Sequence, residues 1–165
     1  HGRYAYGSQP VIGQWNLAGS TTTNSPTEFS IDNTAFVIGN GINWLNRSDA
    51  LVVKFNGDAT LAGNLNINSD ARLKANIISL GSTLSKLLQI DGKSYTMKKD
   101  ESERQKIGLL AQDIEKVFPE LVSESHGVKS VNYQGLVPVL INALKEQQSE
   151  IDELKTMLKT IIEKT

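Results

Sequence analysis

A break in composition after Asn68 limits what this chain can fold into more than any other feature. Residues 1–68 hold 10 of the 13 Asn, 8 of the 13 Gly and 7 of the 10 aromatic residues, yet only 7 of the 35 charged side chains. The following 97 residues carry 28 charges, 14 of each sign. Gly and Asn tolerate positive φ, so the first part is predicted to be short strands and turns, whereas a charged, balanced sequence with apolar spacing near 3.6 residues is predicted to be helical. The expected fold class is α+β: a β-rich segment over 1–68 and a mixed helical and β-hairpin domain over 69–165.

In the first segment, Ala35-Phe36-Val37-Ile38 ends at Gly39-Asn40-Gly41, and Leu51 to Phe55 runs through Asn56-Gly57 into Ala59 to Ala62, the signature of a tight hairpin. Leu65 and Ile67 alternate with Asn64, Asn66 and Asn68. Ser20 to Ser25 reads as a loop. The apolar residues are too few for 68 residues to close a core alone, and another copy of the chain is the natural source of cover. Gly39-Asn40-Gly41 precedes neither a helix pattern nor a Lys-Ser/Thr pair, which argues against a phosphate cradle.

Beyond Ser69 a cap at Ser69-Asp70 is followed by Leu73, Ile77, Ile78 and Leu80, and predicts a helix that stops at Gly81. A β-type segment surrounds Ser94 to Met97, helical spacing runs from Ile107 to Phe118 before Pro119, and a short hairpin is expected around Ser125-His126-Gly127. The strongest periodicity comes last. Over about 134–163, Val137, Leu144, Ile151 and Leu158 occupy one heptad position, and Leu140, Gln147, Leu154 and Ile161 the other. Glu146, Glu150, Glu153, Lys155 and Lys159 flank this stripe as a soluble exterior. The stripe fits either an amphipathic helix lying on its own domain or a self-associating, coiled-coil-like helix. Persistence of the stripe through Ile161 favours the second.

Chemistry has few candidates. There is no cysteine, and the two histidines, His1 and His126, lie far apart, so no metal-ligand set is read and no cofactor is expected. A Ser-His-Asp triad would depend on His126, which beside Gly127 reads as a turn residue. With 17 basic and 18 acidic residues and no basic cluster, nucleic acid is not an expected partner. The longest apolar run, Leu136 to Ile141, is far short of the roughly 20 residues that cross a bilayer, so no membrane partner is expected. What remains is Ser69 and Lys74 at the compositional break. A lysine acts as base toward a serine only when kept from water, where its charged form is disfavoured. The plainer reading makes Ser69 a helix cap and Lys74 a surface lysine.

Residues beyond Ser69 also resemble a known family, the C-terminal intramolecular chaperone domain of phage tail spikes and tail fibres, or peptidase S74 domain. The resemblance rests on Ser69-Asp70, Arg72-Leu73-Lys74 and Asn76-Ile77, on Gly108 to Gln112 followed by Val117 to Val122, and on Val131, Tyr133, Leu136 and Ala143. It implies a homotrimer that assists folding of the fibre ahead of it and then cuts itself off. Ser69 would be the nucleophile, Lys74 the general base and Asn68–Ser69 the broken bond, with Asp70 and Arg72 as structural support. Residues 1–68 resemble, more weakly, a trimeric tail-fibre β-stalk, the folding client, through Gly13 to Asn16 and Phe36 to Gly41. The implied setting is a phage virion tail fibre or prophage-derived protein, assembled in the bacterial cytoplasm. Asn132 stands where the family often has an acidic residue. A trimerisation module without cleavage is the alternative. Membrane-anchored transcription factors also carry this domain type, but no apolar span or basic region points that way here.

Overall fold

Backbone approaches too close for a side chain explain Gly13, Gly39 and Gly41 in the first segment. The computed structural model describes residues 11–17, 29–98, 100 and 103–164. In it β1 (Val11–Gln14), β2 (Thr34–Asn40), β3 (Asp49–Lys54) and β4 (Ala59–Leu61) form one sheet in sequence order. β1 runs parallel to β2, and the other neighbours are antiparallel. A Cβ on Gly39 would sit 2.8 Å from the Asn16 nitrogen, and one on Gly41 would sit 2.3 Å from the Trp15 carbonyl oxygen. The Gly-Asn-Gly segment therefore lets the chain after β1 lie against the end of β2. β2, β3, β4 and the Asn56-Gly57 turn fall where the sequence predicts them. Leu65 and Ile67 lie in irregular, exposed chain, and Ser20 to Ser25 are outside the described residues.

Packing in this sheet is thin. Among the described residues Val37 is its one fully buried apolar side chain, while Phe29, Ile42, Trp44 and Leu45 are exposed. The rings of Phe29 and Phe55 meet edge to face with centroids 5.1 Å apart. Asn43 organises the β2–β3 loop by accepting hydrogen bonds from the backbone N–H groups of Leu45 and Asn46.

The described residues divide into two compact units between Leu73 and Lys74. In the second unit come α1 (Leu84–Leu87), β5 (Lys93–Tyr95), β6 (Lys106–Gly108), α2 (Ala111–Val117), β7 (Val122–Ser125), β8 (Val128–Val131) and α3 (Leu136–Ile162). β5 pairs with β6 and β7 with β8, both antiparallel. Ile114 from α2, Phe118 just after it and Val139 from α3 form the core, with Leu87, Ile90, Leu109, Leu121 and Val131 packed around them. Lys86 places its ammonium 5.6 Å from the Phe118 ring centroid, and Lys129 of β8 pairs with Glu115 of α2. The fold is thus mixed α and β with small sheets and a long final helix.

Three sequence expectations are corrected. The helix expected from Ser69 to Leu80 is only a 3-10 turn, Ala71–Leu73, followed by irregular exposed chain. Asn76 takes φ 52° there, and Ile77 and Ile78 are 67% and 86% exposed, so an isolated helix of this length lacks the packing it needs. The helical stretch from Ile107 begins later, at Ala111, because Lys106 to Gly108 pairs as β6. Glu146, expected on the soluble exterior, reaches back to the start of α1.

Candidate functional site

Asn68, Ser69, Asp70, Arg72 and Leu73 line an open concavity of about 420 Å³. Its floor is organised by one carboxylate. Asp70 accepts the Arg72 backbone N–H at 2.8 Å and the Arg72 guanidinium through Nε at 3.1 Å and Nη2 at 2.6 Å. The Asp70 carbonyl accepts from the Leu73 N–H at 3.1 Å. This Asx-type closure shapes the turn immediately after Ser69. The Arg72 hydrogen bonds hold the Asp70 carboxyl below its ordinary range, and Asp70 raises Arg72 in return. Both side chains are solvent-exposed, so the pair shapes the turn more than it stabilises the fold. Asn68, Ser69, Asp70 and Arg72 are thus brought together in one unit. Lys74 begins the other unit and is exposed in the single chain.

α3 presents two faces that adjoin around its circumference. Leu136, Val139 and Ala143 are buried against their own unit, and Glu146 continues that face at half burial. The heptad stripe lies beside it: Val137, Leu140, Leu144, Ile151, Leu154, Leu158 and Ile161 are between 41% and 68% exposed, and Gln147 is exposed too. Every residue from Gln147 to Ile162 is exposed, roughly 24 Å of helix at 1.5 Å per residue. The helix therefore does not simply lie on its own domain.

His126 sits in the β7–β8 turn with φ 52°, followed by Gly127 at 75°, the two left-handed residues of a type I′ hairpin. Its Nδ1 lies 2.9 Å from the Ser125 hydroxyl. Among the described residues no group of three or more His, Asp or Glu could hold a metal ion, and no helix is long and apolar enough to cross a membrane.

Glu146, read from the sequence only as part of the soluble exterior, has a role that sequence reasoning missed. Its carboxylate accepts the Ser82 hydroxyl at 2.6 Å together with the backbone N–H groups of Thr83 and Leu84. The available signal was its place three residues after Ala143, on the face that also carries Val139.

Residues 69–123, beginning at Ser69, match the family described as chaperone of endosialidase, the peptidase S74 family. Curated relatives carry the name long tail fiber protein Gp37. That of Salmonella phage S16 is 32% identical over 118 residues, 66% of this chain and 16% of the relative. That of Enterobacteria phage M1 is 32% identical over 148 residues, 84% of this chain and 51% of the relative. That of Enterobacteria phage Ox2 is 32% identical over 142 residues, 81% and 49% respectively. The chain spans about half the length of the last two and a sixth of the first.

Proposed function

We propose that this chain is part of a phage tail-fibre protein, a virion component, whose second unit is a chaperone for fibre assembly. Three copies join through α3, guide folding of the β-rich segment, and the chaperone domain then severs itself at Asn68–Ser69. The observation that carries the assembly reading is the exposed, heptad-spaced stretch of α3 from Gln147 to Ile162. Helices owe most of their stability to packing, and a self-complementary apolar stripe finds that packing against further copies. Pairing strands from separate chains carries a large entropic cost before contacts accumulate. A helical trimer formed first would raise the local concentration of the three β-rich segments and fix their register. The thin core around Val37 supports this, since partner chains would cover what one chain leaves bare.

The cleavage reading rests on the family and on the position of Ser69 directly after the scissile carbonyl. A tethered nucleophile has its orientation entropy largely prepaid, and a single turnover needs no substrate pocket. Neutral Lys74 Nζ would take the Ser69 Oγ proton as Oγ attacks the Asn68 carbonyl carbon. Collapse of the tetrahedral species breaks the Asn68–Ser69 C–N bond, and the proton returns to the departing nitrogen. Water then hydrolyses the Asn68–Ser69 ester, giving an Asn68 carboxylate and restoring the Ser69 hydroxyl. Lys74 is exposed in one chain, so the seal against water would come from assembled copies, and cleavage would report on correct assembly.

Intact-mass measurement of the folded protein tests this directly. Fragments of 68 and 97 residues are expected from the wild type, and one uncut chain from Ser69→Ala and from Lys74→Ala, both still trimeric. Cutting at the wild-type rate in Lys74→Ala would point instead to spontaneous succinimide chemistry at Asn68. An uncut wild type would leave a structural trimerisation module.

A further inference from the structure

The carboxylate of Glu146 closes a clamp between the assembling helix and the chain that leads away from Lys74. α1 is a single turn whose first N–H groups need acceptors, and its capping residue Thr83 supplies none, because the Thr83 hydroxyl donates instead to the Val139 carbonyl at 2.8 Å. Glu146 fills that place from 63 residues away, accepting from Thr83 N, from Leu84 N at 3.2 Å and from the Ser82 hydroxyl. One turn earlier on α3, Asn142 Nδ2 donates to the Gly81 carbonyl at 3.1 Å. Val139, Asn142 and Glu146 therefore fasten every residue from Gly81 to Leu84. Thr83 is almost fully buried, whereas the chain from Lys74 to Ser82 is exposed throughout. The fastened point lies seven residues after Lys74, within an extended reach of at most about 25 Å.

We propose that Glu146 is a positioning residue for self-cleavage: by fastening Gly81 to Leu84 on the flank of the α3 stripe, it fixes where the segment bearing Lys74 leaves the assembled helices. This rests on the cleavage reading above and adds to it the link between assembly and the base. A helix that assembles without the clamp would leave the Lys74 segment tethered only by flexible chain, with its productive placement diluted over many conformations.

The test compares the wild-type 165-residue chain with Glu146→Ala, Glu146→Gln and Ser69→Ala, following cleavage by intact mass, assembly by light scattering and protection of the Thr83 and Leu84 amides by hydrogen exchange. Expected for Glu146→Ala is a trimer that has lost protection at both amides and cleaves at least tenfold more slowly. Glu146→Gln, which keeps an oxygen to accept both N–H groups, recovers most of the rate. Glu146→Ala cutting at the wild-type rate with that protection gone would overturn the proposal, as would loss of the trimer in Glu146→Ala, which would make Glu146 an assembly residue. Wild type left uncut, or Ser69→Ala cut normally, would overturn the cleavage reading itself and this proposal with it.

Discussion

The hydroxyl of Tyr133 accepts a hydrogen bond from the backbone N–H of Leu109 at 2.9 Å, joining the 3-10 turn that leads into α3 to the end of β6. Gly108 makes the approach possible, since a Cβ there would lie 2.8 Å from the Tyr133 oxygen and 3.2 Å from Tyr95 Cε1. Two of the sequence segments that resemble the chaperone family, one ending β6 and one beginning α3, thus meet at a single contact.

Tyr133→Phe is expected to cost about 0.5–1.5 kcal/mol, the usual net worth of such a hydrogen bond. Gly108→Ala, which pushes the hydroxyl away, should cost at least as much. Because both changes break the same contact, urea denaturation of the double variant should show less than the sum of the two. Strict additivity would mean that the methyl is accommodated without moving Tyr133.

Ile114 is fully buried between α2 and α3. Ile114→Ala is expected to destabilise the second unit by about 2–5 kcal/mol through lost burial and the cavity left behind. A smaller shift in the denaturation midpoint would show that Phe118 and Val139 collapse into the space.

What could be read in advance followed the range of the interactions responsible. The Asn56-Gly57 and His126-Gly127 turns depend on two residues each, and both hairpins lie where predicted. The α3 heptads repeat often enough to stand out, and the helix runs 136–162 against an expected 134–163. By contrast, β1 pairs in parallel with β2 through a four-residue strand, which has no local signature. The N–H groups of α1 are capped by Glu146 on another helix, so neither α1 nor its anchor could be seen from local spacing. At the candidate site, Ser69 stood out through its place at the compositional break, while Asp70 and Arg72 were implied only as structural support and their closure of the turn depends on three-dimensional geometry. Ile77 and Ile78 suggested helix by spacing alone, but both are largely exposed in the single chain.

Hydrogen bonds from Ser82, first, and from the Thr83 N–H hold the Glu146 carboxyl below its ordinary value of 4.5. A carboxyl lowered in the folded state contributes stability at pH above that ordinary value and loses it as pH falls through the folded one. Protection of the Thr83 and Leu84 amides, measured by hydrogen exchange against the Ile114 amide as internal reference, should therefore hold at neutral pH and fail on acidification below about 4.5. Glu146→Gln should remove that pH dependence. A pH response unchanged in Glu146→Gln would assign it to another group.

The α3 stripe separates two kinds of substitution. Ile151→Asp with Leu154→Asp places two charges where the stripe leaves the domain, and light scattering should show loss of the proposed trimer while the core around Ile114 keeps its circular dichroism. Gln147 is the one polar member of the stripe, flanked by Leu144 and Ile151. A single polar residue at such a position commonly fixes register and oligomer number at a cost in stability. Gln147→Leu should then raise the melting temperature of the assembly and broaden its distribution of masses. If the double aspartate variant remains trimeric, α3 is not the associating element. If Gln147→Leu leaves both melting and mass unchanged, the glutamine sits outside the contact.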